Sequence, residues 1–527
     1  MPNKEKFTKI SKKLKIAWVI ITNLSVALII VMLSVGVIYY SHGYKFNIDS
    51  GGLEKVGVMS VTSKPLLSGI FLDEEYVGRT PRTLGSIKPG THQVRLERKD
   101  YNIWNKTVTI LEDKSTPIEA TLFRKNPKTS EILKIDEQVI SFKADRLNRN
   151  IFITTQKANS SNNTVLYKIY RFSTDTLFWE NSGETSLIYE KTLPSNKSFQ
   201  LTPSNDGSYL LLTYLTNTSS ALTQSYEMVD TGSNNLKTYA IPNTKNKNIK
   251  SINWTNDSQN LIIQTESSIE LLAPKTFDST LLLARTSAEQ SAVGFAWTTD
   301  LDGNFYYSEL VEEADTGASY YRISKVNGSD NQPETVINSI YFISDDKFIK
   351  DLELEALQSP FKNSPQSTRF AGNIKYLYVD RDARGLIIGT EFGLYYYSND
   401  SQKFTLVAKE SGEFVQTDSD STKFLFKTAK EYGIFTFDKE EADHTSTLGS
   451  KMLYANKADS NAMLNASDDF VIVSDPSEIR AISTDGYNNY KLASHKLYSA
   501  LSEDGRSGYI LRRNDKGGYS LIKYSFN

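Results

Sequence analysis

The chain has 527 residues, 39% of them hydrophobic and 11% aromatic, which calls for two or three folded units and excludes an intrinsically disordered protein. Cysteine is absent, so neither disulfides nor thiolate metal sites hold any part together. Six lysines (Lys4, Lys6, Lys9, Lys12, Lys13, Lys15) against Glu5 make the first fifteen residues +5. The rest holds 54 basic and 61 acidic residues, a net of −7 that excludes nucleic acid as a partner, since phosphate contacts need clustered positive charge.

Residues 16–40, IAWVIITNLSVALIIVMLSVGVIYY, carry no charge. A helix rising about 1.5 Å per residue would reach about 37 Å here, longer than a bilayer core of about 30 Å. Trp18 near one end and Tyr39 and Tyr40 at the other suit the headgroup level, and the lysines place the tail, 1–15, in the cytoplasm. The competing reading is a cleaved signal peptide, whose apolar region runs about 7–15 residues and ends in small residues of the A-x-A type. This run is longer, and Ser34-Val35-Gly36 matches poorly. The expectation is a single-pass cell-membrane protein with its body outside the cytoplasm; both readings export the body.

After a spacer at 41–52, residues 53–123 alternate as strands do: VGVMSVTS, SGIFLDEEYVG, THQVRLERKDY, KTVTIL and IEATLF, broken at Pro81 and at Pro89-Gly90. Val94 and Leu96 alternate with charged neighbours, as in a sheet with one wet face. A β-sandwich of about 70 residues follows. Ser63-Lys64-Pro65, Leu72-Asp73, Gly78-Arg79-Thr80-Pro81, Pro89-Gly90-Thr91-His92-Gln93-Val94, Asp100-Tyr101 and Trp104 resemble the PEGA domain in order and spacing. The namesake turn departs, reading Pro65-Leu66-Leu67-Ser68-Gly69-Ile70. The resemblance implies an accessory module of cell-envelope and surface proteins, often with carbohydrate-related neighbours.

From about residue 128 the sequence repeats loosely every 35–55 residues: a strand, a turn rich in Asp, Asn, Ser and Gly, then a strongly apolar strand. Eight starts are visible, at 140–155, 199–215, 252–266, 295–310, 377–398, 415–429, 463–474 and 498–513. Such a period carried by short strands predicts a β-propeller over 128–527, of eight blades or, as the alternative, seven. Asn205-Asp206-Gly207 and Glu503-Asp504-Gly505 supply residues that tolerate the left-handed region or bond their own backbone. The pattern resembles TolB-like and WD-type propellers. Ring closure would pair the strand after Thr129 with the last strands. An insertion at 341–372 interrupts the period, with Phe348, Ile349, Leu352 and Ala356 at helical spacing before Pro360 and Pro365. A short acidic helix and loop is the plain reading, a partner-docking insertion the sharper one.

Chemical signatures are sparse. Four histidines, His42, His92, His444 and His495, leave few general bases, and His92 reads as a turn residue rather than a ligand. Gly505-Arg506-Ser507-Gly508 lacks the second glycine of a nucleophile elbow, so no α/β-hydrolase tail is expected; no P-loop or H-E-x-x-H occurs. Asp300-Leu301-Asp302-Gly303, Asp380-Arg381-Asp382 and Asp418-Ser419-Asp420 place carboxylates as calcium loops do, but without the further oxygen donors such loops need; they read as blade turns. Tyr306-Tyr307, Tyr320-Tyr321 and Tyr395-Tyr396-Tyr397 alternate faces in strands and read as core rather than as sugar platforms. No catalytic, cofactor-binding or metal-binding residue is assigned. The expected function is a non-enzymatic, membrane-anchored envelope scaffold binding a protein or cell-wall glycan. The alternative is a glycan-active enzyme using carboxylates on the propeller face.

Overall fold

A computed structural model describes residues 4–41, 44–47, 52–112, 114–174, 185–217, 222–232, 237–241, 249–285, 295–312, 319–327, 332–343, 369–371, 373–380, 384–391, 393–418, 422–436, 449–457, 460–464, 469–475, 477–494, 498–502, 505–515 and 517–526. They form two compact units, Met1–Leu122 and Phe123–Asn527.

In the first unit a helix spans Lys4–Ser41, and its stretch Trp18–Ile38 is long and apolar enough to cross a membrane, with none of it buried by protein. Thr22, Ser25 and Ser34 donate to the carbonyls of Trp18, Ile21 and Ile30 one turn back, which satisfies each hydroxyl locally.

A hairpin, Tyr44–Asn47 with Gly52–Lys55, precedes two sheets. One joins Arg82–Ile87, Gly57–Lys64 and Ser115–Thr121; the other joins Glu75–Arg79, Gly69–Leu72, Gly90–Glu97 and Trp104–Ile110. Alternate residues of both are buried, Met59 and Val61 in the first and Ile70, Val94, Leu96 and Trp104 in the second. One apolar face per sheet is the condition for a sandwich. At the departing PEGA-like turn, buried Ser63 Oγ lies 2.6 Å from Thr80 Oγ1 and donates to Ser68 Oγ, while the tip residues Leu66 and Leu67 stay exposed.

Among the described residues the second unit contains eight sheets of four or five strands. Numbered in chain order, their first strands are Gln138–Ala144, Lys197–Pro203, Ser251–Trp254, Trp297–Thr299, Ile374–Val379, Gly412–Thr417, Asn461–Leu464 and Ser499–Leu501. Each of the eight repeat starts falls on the first hairpin of one sheet. The second strands read as unbroken apolar runs because both their faces are covered. Leu210 and Leu212 of sheet 2 pack on Phe152 and Ile169 of sheet 1, whereas Leu211 between them packs on Leu261 of sheet 3. Leu386 and Ile388 of sheet 5 likewise join Tyr306 of sheet 4, while Ile387 joins Phe424 of sheet 6. Similar clusters link sheets 3 with 4, 6 with 7, and 8 with 1. Between sheets 7 and 8, Ser474 and Ser499 share a hydrogen bond, and a Cβ at Gly508 would stand 2.9 Å from Ile479 Cδ1. The circuit is closed, and this is the architecture of a propeller.

Closure is also made within a single sheet. Lys128–Ile135 pairs antiparallel with the final strand, Tyr519–Ser525, matching Thr129 to Tyr524, so sheet 8 takes its outer strand from the start of the body. Phe123 is buried with its ring 4.9 Å from that of Phe470, and Arg124 donates its amide to the carbonyl of Phe526. The boundary therefore falls at Leu122/Phe123. The insertion expected at 341–372 begins and ends as strand: Tyr341–Ile343 pairs in parallel with Arg369–Ala371, adding a fifth strand to sheet 4. The helix expected inside it lies outside the described residues.

Candidate functional site

Among the described residues, the turns after the first strands of sheets 1–6 and 8 share one device, a polar side chain that accepts backbone amides four or five residues on. Asp145 accepts from the amides of Arg149 and Asn150, both at 2.9 Å. Ser204 accepts from Tyr209, Thr255 from Asn260, and Ser502 from Ser507. Asp300, Asp380 and Asp418 accept from Asn304, Arg384 and Thr422 at 2.7–2.8 Å. Of the acidic residues raised as calcium donors, Asp300, Asp380 and Asp418 are turn acceptors, Asp302 gives its amide to Asp300, and Asp382 and Asp420 lie outside the described residues. Asp300 and Asp380 also accept the hydroxyls of Tyr306 and Tyr396.

Neighbouring turns are stitched together through residues that carry no motif in the sequence. The amide of Leu147 in sheet 1 donates to the carbonyl of Asn205 in sheet 2. Asn205 Nδ2 donates to the carbonyls of Thr255 and Asn256 in sheet 3, and the Asn256 amide donates to Thr299 Oγ1 in sheet 4. The sheet 1 turn also reaches the far side of the circuit. Arg146 Nη1 donates to Asn256 Oδ1 at 3.0 Å, and its guanidinium lies 5.7 Å from the Phe414 ring of sheet 6. Asn148 Nδ2 is 3.6 Å from Met463 Sδ of sheet 7. One turn meeting sheets 2, 3, 6 and 7 requires their first strands to converge on a narrow channel, with this turn lying across its mouth. Arg146 stays wetted there while protein surrounds it, and that environment lowers its pKa from the usual arginine value.

Beside Arg146 a cleft of about 130 Å³ opens among sheets 3, 4 and 5. Its walls carry Trp254 and Asn256, then Trp297, then Lys375, Tyr376 and Tyr378. The four rings are half-buried. Trp254 stacks on Tyr209 at 5.8 Å, and Tyr378 packs against Phe414 at 5.3 Å, so the rings are fixed by their neighbours. Burial pushes the Tyr378 hydroxyl up to about 12, with Glu413 adding to the shift and Arg146 opposing it, so the group is a neutral donor at physiological pH. The cleft is therefore lined by four half-buried rings and by Lys375, with the Arg146 guanidinium beside it on Asn256. Two of its residues had a sequence signal: Trp254 and Trp297 each open the tetrad W-T-x-D, in Trp254-Thr255-Asn256-Asp257 and Trp297-Thr298-Thr299-Asp300. Arg146, Tyr376, Tyr378 and Phe414 had none.

The residues weighed from sequence are not brought together here. His92 lies in the first unit, with Nδ1 2.6 Å from Asp73 Oδ2 and Nε2 2.7 Å from the Lys88 carbonyl, so it ties two turns. Its hydrogen bond is the largest influence on the Asp73 carboxyl, which lies below its ordinary pKa. His42, His444 and His495 are outside the described residues. The tyrosine runs split by face: Tyr395 and Tyr397 pack toward sheet 4 and Tyr396 toward sheet 6, while Tyr306 faces sheet 5 and Tyr307 sheet 3. Ser507 of the elbow-like fragment opens a strand, its amide held by Ser502.

Residues 56–126 match the PEGA domain family. That match agrees with the sandwich and with the motif residues from Ser63 to Trp104. No curated protein sequence matches the chain. Among solved structures, the WD40 domain of SCAP from fission yeast is 9% identical, covering 76% of this chain and 98% of its own, with a TM-score of 0.42. The β-propeller domain of the Trilobed protease from Pyrococcus furiosus is 11% identical over 68% and 97%, with a TM-score of 0.35. Dipeptidyl peptidase 4 from Porphyromonas gingivalis is 10% identical over 74% and 58%, with a TM-score of 0.38. The propeller architecture stands on the closed circuit of sheets itself.

Proposed function

We propose that this protein is a membrane-anchored, non-enzymatic binding module of the cell envelope. The apolar helix would hold it in the membrane with the basic tail inside, the PEGA-domain segment would act as spacer or wall contact, and the propeller, its eight sheets read as eight blades, would recruit a ligand. The observation that carries this reading is the division of labour among side chains. The turn acids Asp145, Asp300, Asp380 and Asp418 are occupied by backbone amides, whereas four half-buried rings, Trp254, Trp297, Tyr376 and Tyr378, line the cleft. A glycosidase needs two carboxylates flanking one bond, and the described residues lining the cleft include none.

The test combines topology with turnover. Protease added to intact cells should remove the body and spare the tail, and the full chain mixed with envelope material should sediment with it without releasing soluble fragments. A body protected in intact cells would refute the orientation. Released saccharide fragments would replace the binding module by a glycan-active enzyme.

A further inference from the structure

We propose that the channel mouth is a binding site for an acidic saccharide, with Arg146 as the counter-charge to its carboxylate. The inference rests on the binding-module reading and names its ligand class.

Arg146 belongs to sheet 1 but is held by Asn256 Oδ1 of sheet 3 and the Phe414 ring of sheet 6. Both partners are neutral, and among the described residues no carboxylate pairs with it. The acids nearby are engaged otherwise. Glu413 pairs with Lys427 at 2.9 Å and takes a hydrogen bond from Tyr376; Glu391 lies 4.0 Å from Lys375; Asp145 holds turn amides. A guanidinium has five N–H donors in a planar fork, and one bond to an amide oxygen leaves a pair for a carboxylate. In a body of net charge −7, a guanidinium at the channel mouth reverses the local field and draws anions to it.

The rest of the cleft selects among anions. Trp254, Trp297, Tyr376 and Tyr378 line it as half-buried rings whose exposed parts can pack against a sugar ring, and Asn256, with Nδ2 given to the Thr299 carbonyl and Oδ1 to Arg146, fixes the guanidinium beside them. At about 130 Å³ the cleft is smaller than the roughly 300 Å³ at which drug-sized pockets begin, so it takes one ring and not a length of polymer. An acidic peptide would satisfy Arg146 but leave those ring faces without a flat partner.

The full chain in detergent is titrated calorimetrically with an oligogalacturonate, its neutral oligogalactose counterpart and an oligoglutamate. Saturable oligogalacturonate binding is expected, at least tenfold tighter than the neutral sugar and weakened by salt. Arg146→Gln, which keeps an amide near Asn256, should cost at least tenfold. Lys375→Gln, on an exposed side chain that leaves the turn intact, should cost about threefold and serves if the first variant misfolds. Failure to bind oligogalacturonate, equal affinity for both sugars, or unchanged affinity in a folded Arg146→Gln would overturn the proposal. Preference for oligoglutamate would overturn the saccharide assignment and leave the binding module standing. Shortening of the oligogalacturonate during titration would refute the binding-module reading itself.

Discussion

Gly207 of sheet 2 lies against Asp145 of sheet 1 so closely that a Cβ on the glycine would stand 2.4 Å from Asp145 Oδ2. Gly207 has φ +71°, and Gly517 has φ +86° with nothing within 4 Å of the place a Cβ would take. Alanine at either site incurs the left-handed penalty of about 1 kcal/mol, but only Gly207→Ala also displaces a buried carboxylate. Urea unfolding should show Gly207→Ala to be the more damaging by at least about 1 kcal/mol. Equal losses would mean that the two turns are not in contact.

Two aspartates should give pH dependences of opposite sign. Burial raises the Asp145 carboxyl to about 6 against opposing bonds from Asn150 and Arg149, with Asp206 adding to the rise. The folded chain then holds this proton more tightly than the unfolded chain, whose aspartates titrate near about 3.9, so its contribution to stability falls as pH rises from about 4 to about 6. Asp475 goes the other way: burial favours protonation, but Lys457, Ser477 and Tyr454 hold the carboxyl well below its ordinary range. Its contribution is present above about pH 4 and fades as pH falls below it. Unfolding measured from pH 3 to 8 should show Asp145→Asn flattening the segment between pH 4 and 6. Asp475→Asn should cost about 1.5–3 kcal/mol at pH 7 and progressively less below pH 4.

Chelation should leave thermal stability unchanged, because Asp300, Asp380 and Asp418 serve backbone amides. Asp300→Ala, by contrast, strips acceptors from the Asp302 and Asn304 amides and should cost about 1–3 kcal/mol. A drop in melting temperature with chelator, reversed by calcium, would make one of these turns a metal site.

Core and tip should separate cleanly. Phe424 is fully buried between sheets 5 and 6, and Phe424→Ala should cost about 3–5 kcal/mol. Leu66 at the PEGA turn is 57% exposed, and Leu66→Ala should change stability by less than about 0.5 kcal/mol.

Deleting the chain from Gly518 onward removes the partner of Lys128–Ile135 and should lower the unfolding midpoint of the whole body, since sheet 8 then loses an inner strand and strands its outer one. A midpoint equal to that of the full chain would mean that these strands do not close the circuit.

The repeat is legible in the sequence because its two ingredients are local. A run such as Leu210-Leu211-Leu212 shows a strand covered on both faces, and Asn205-Asp206-Gly207 shows the turn before it. Tyr395-Tyr396-Tyr397 can be divided between neighbours from strand period alone. The site is not legible in this way. Arg146 gains its meaning from Asn256 and Phe414, residues of other sheets, and nothing near it in sequence marks the contact. Phe123 likewise reads as the end of the sandwich, because its partner Phe470 lies far along the chain in sheet 7.

The pairing of Lys128–Ile135 with Tyr519–Ser525 also fixes an order of events. The outer strand of sheet 8 is the first of the body to be synthesised and the last to find its partner, since every other sheet must be made in between. Until then it is an open edge, the kind of surface on which chains pair with one another. Its first residues, Lys128 to Lys134, carry Lys128, Glu131 and Lys134 and are mostly exposed, which makes that edge a poor template for aggregation during the wait.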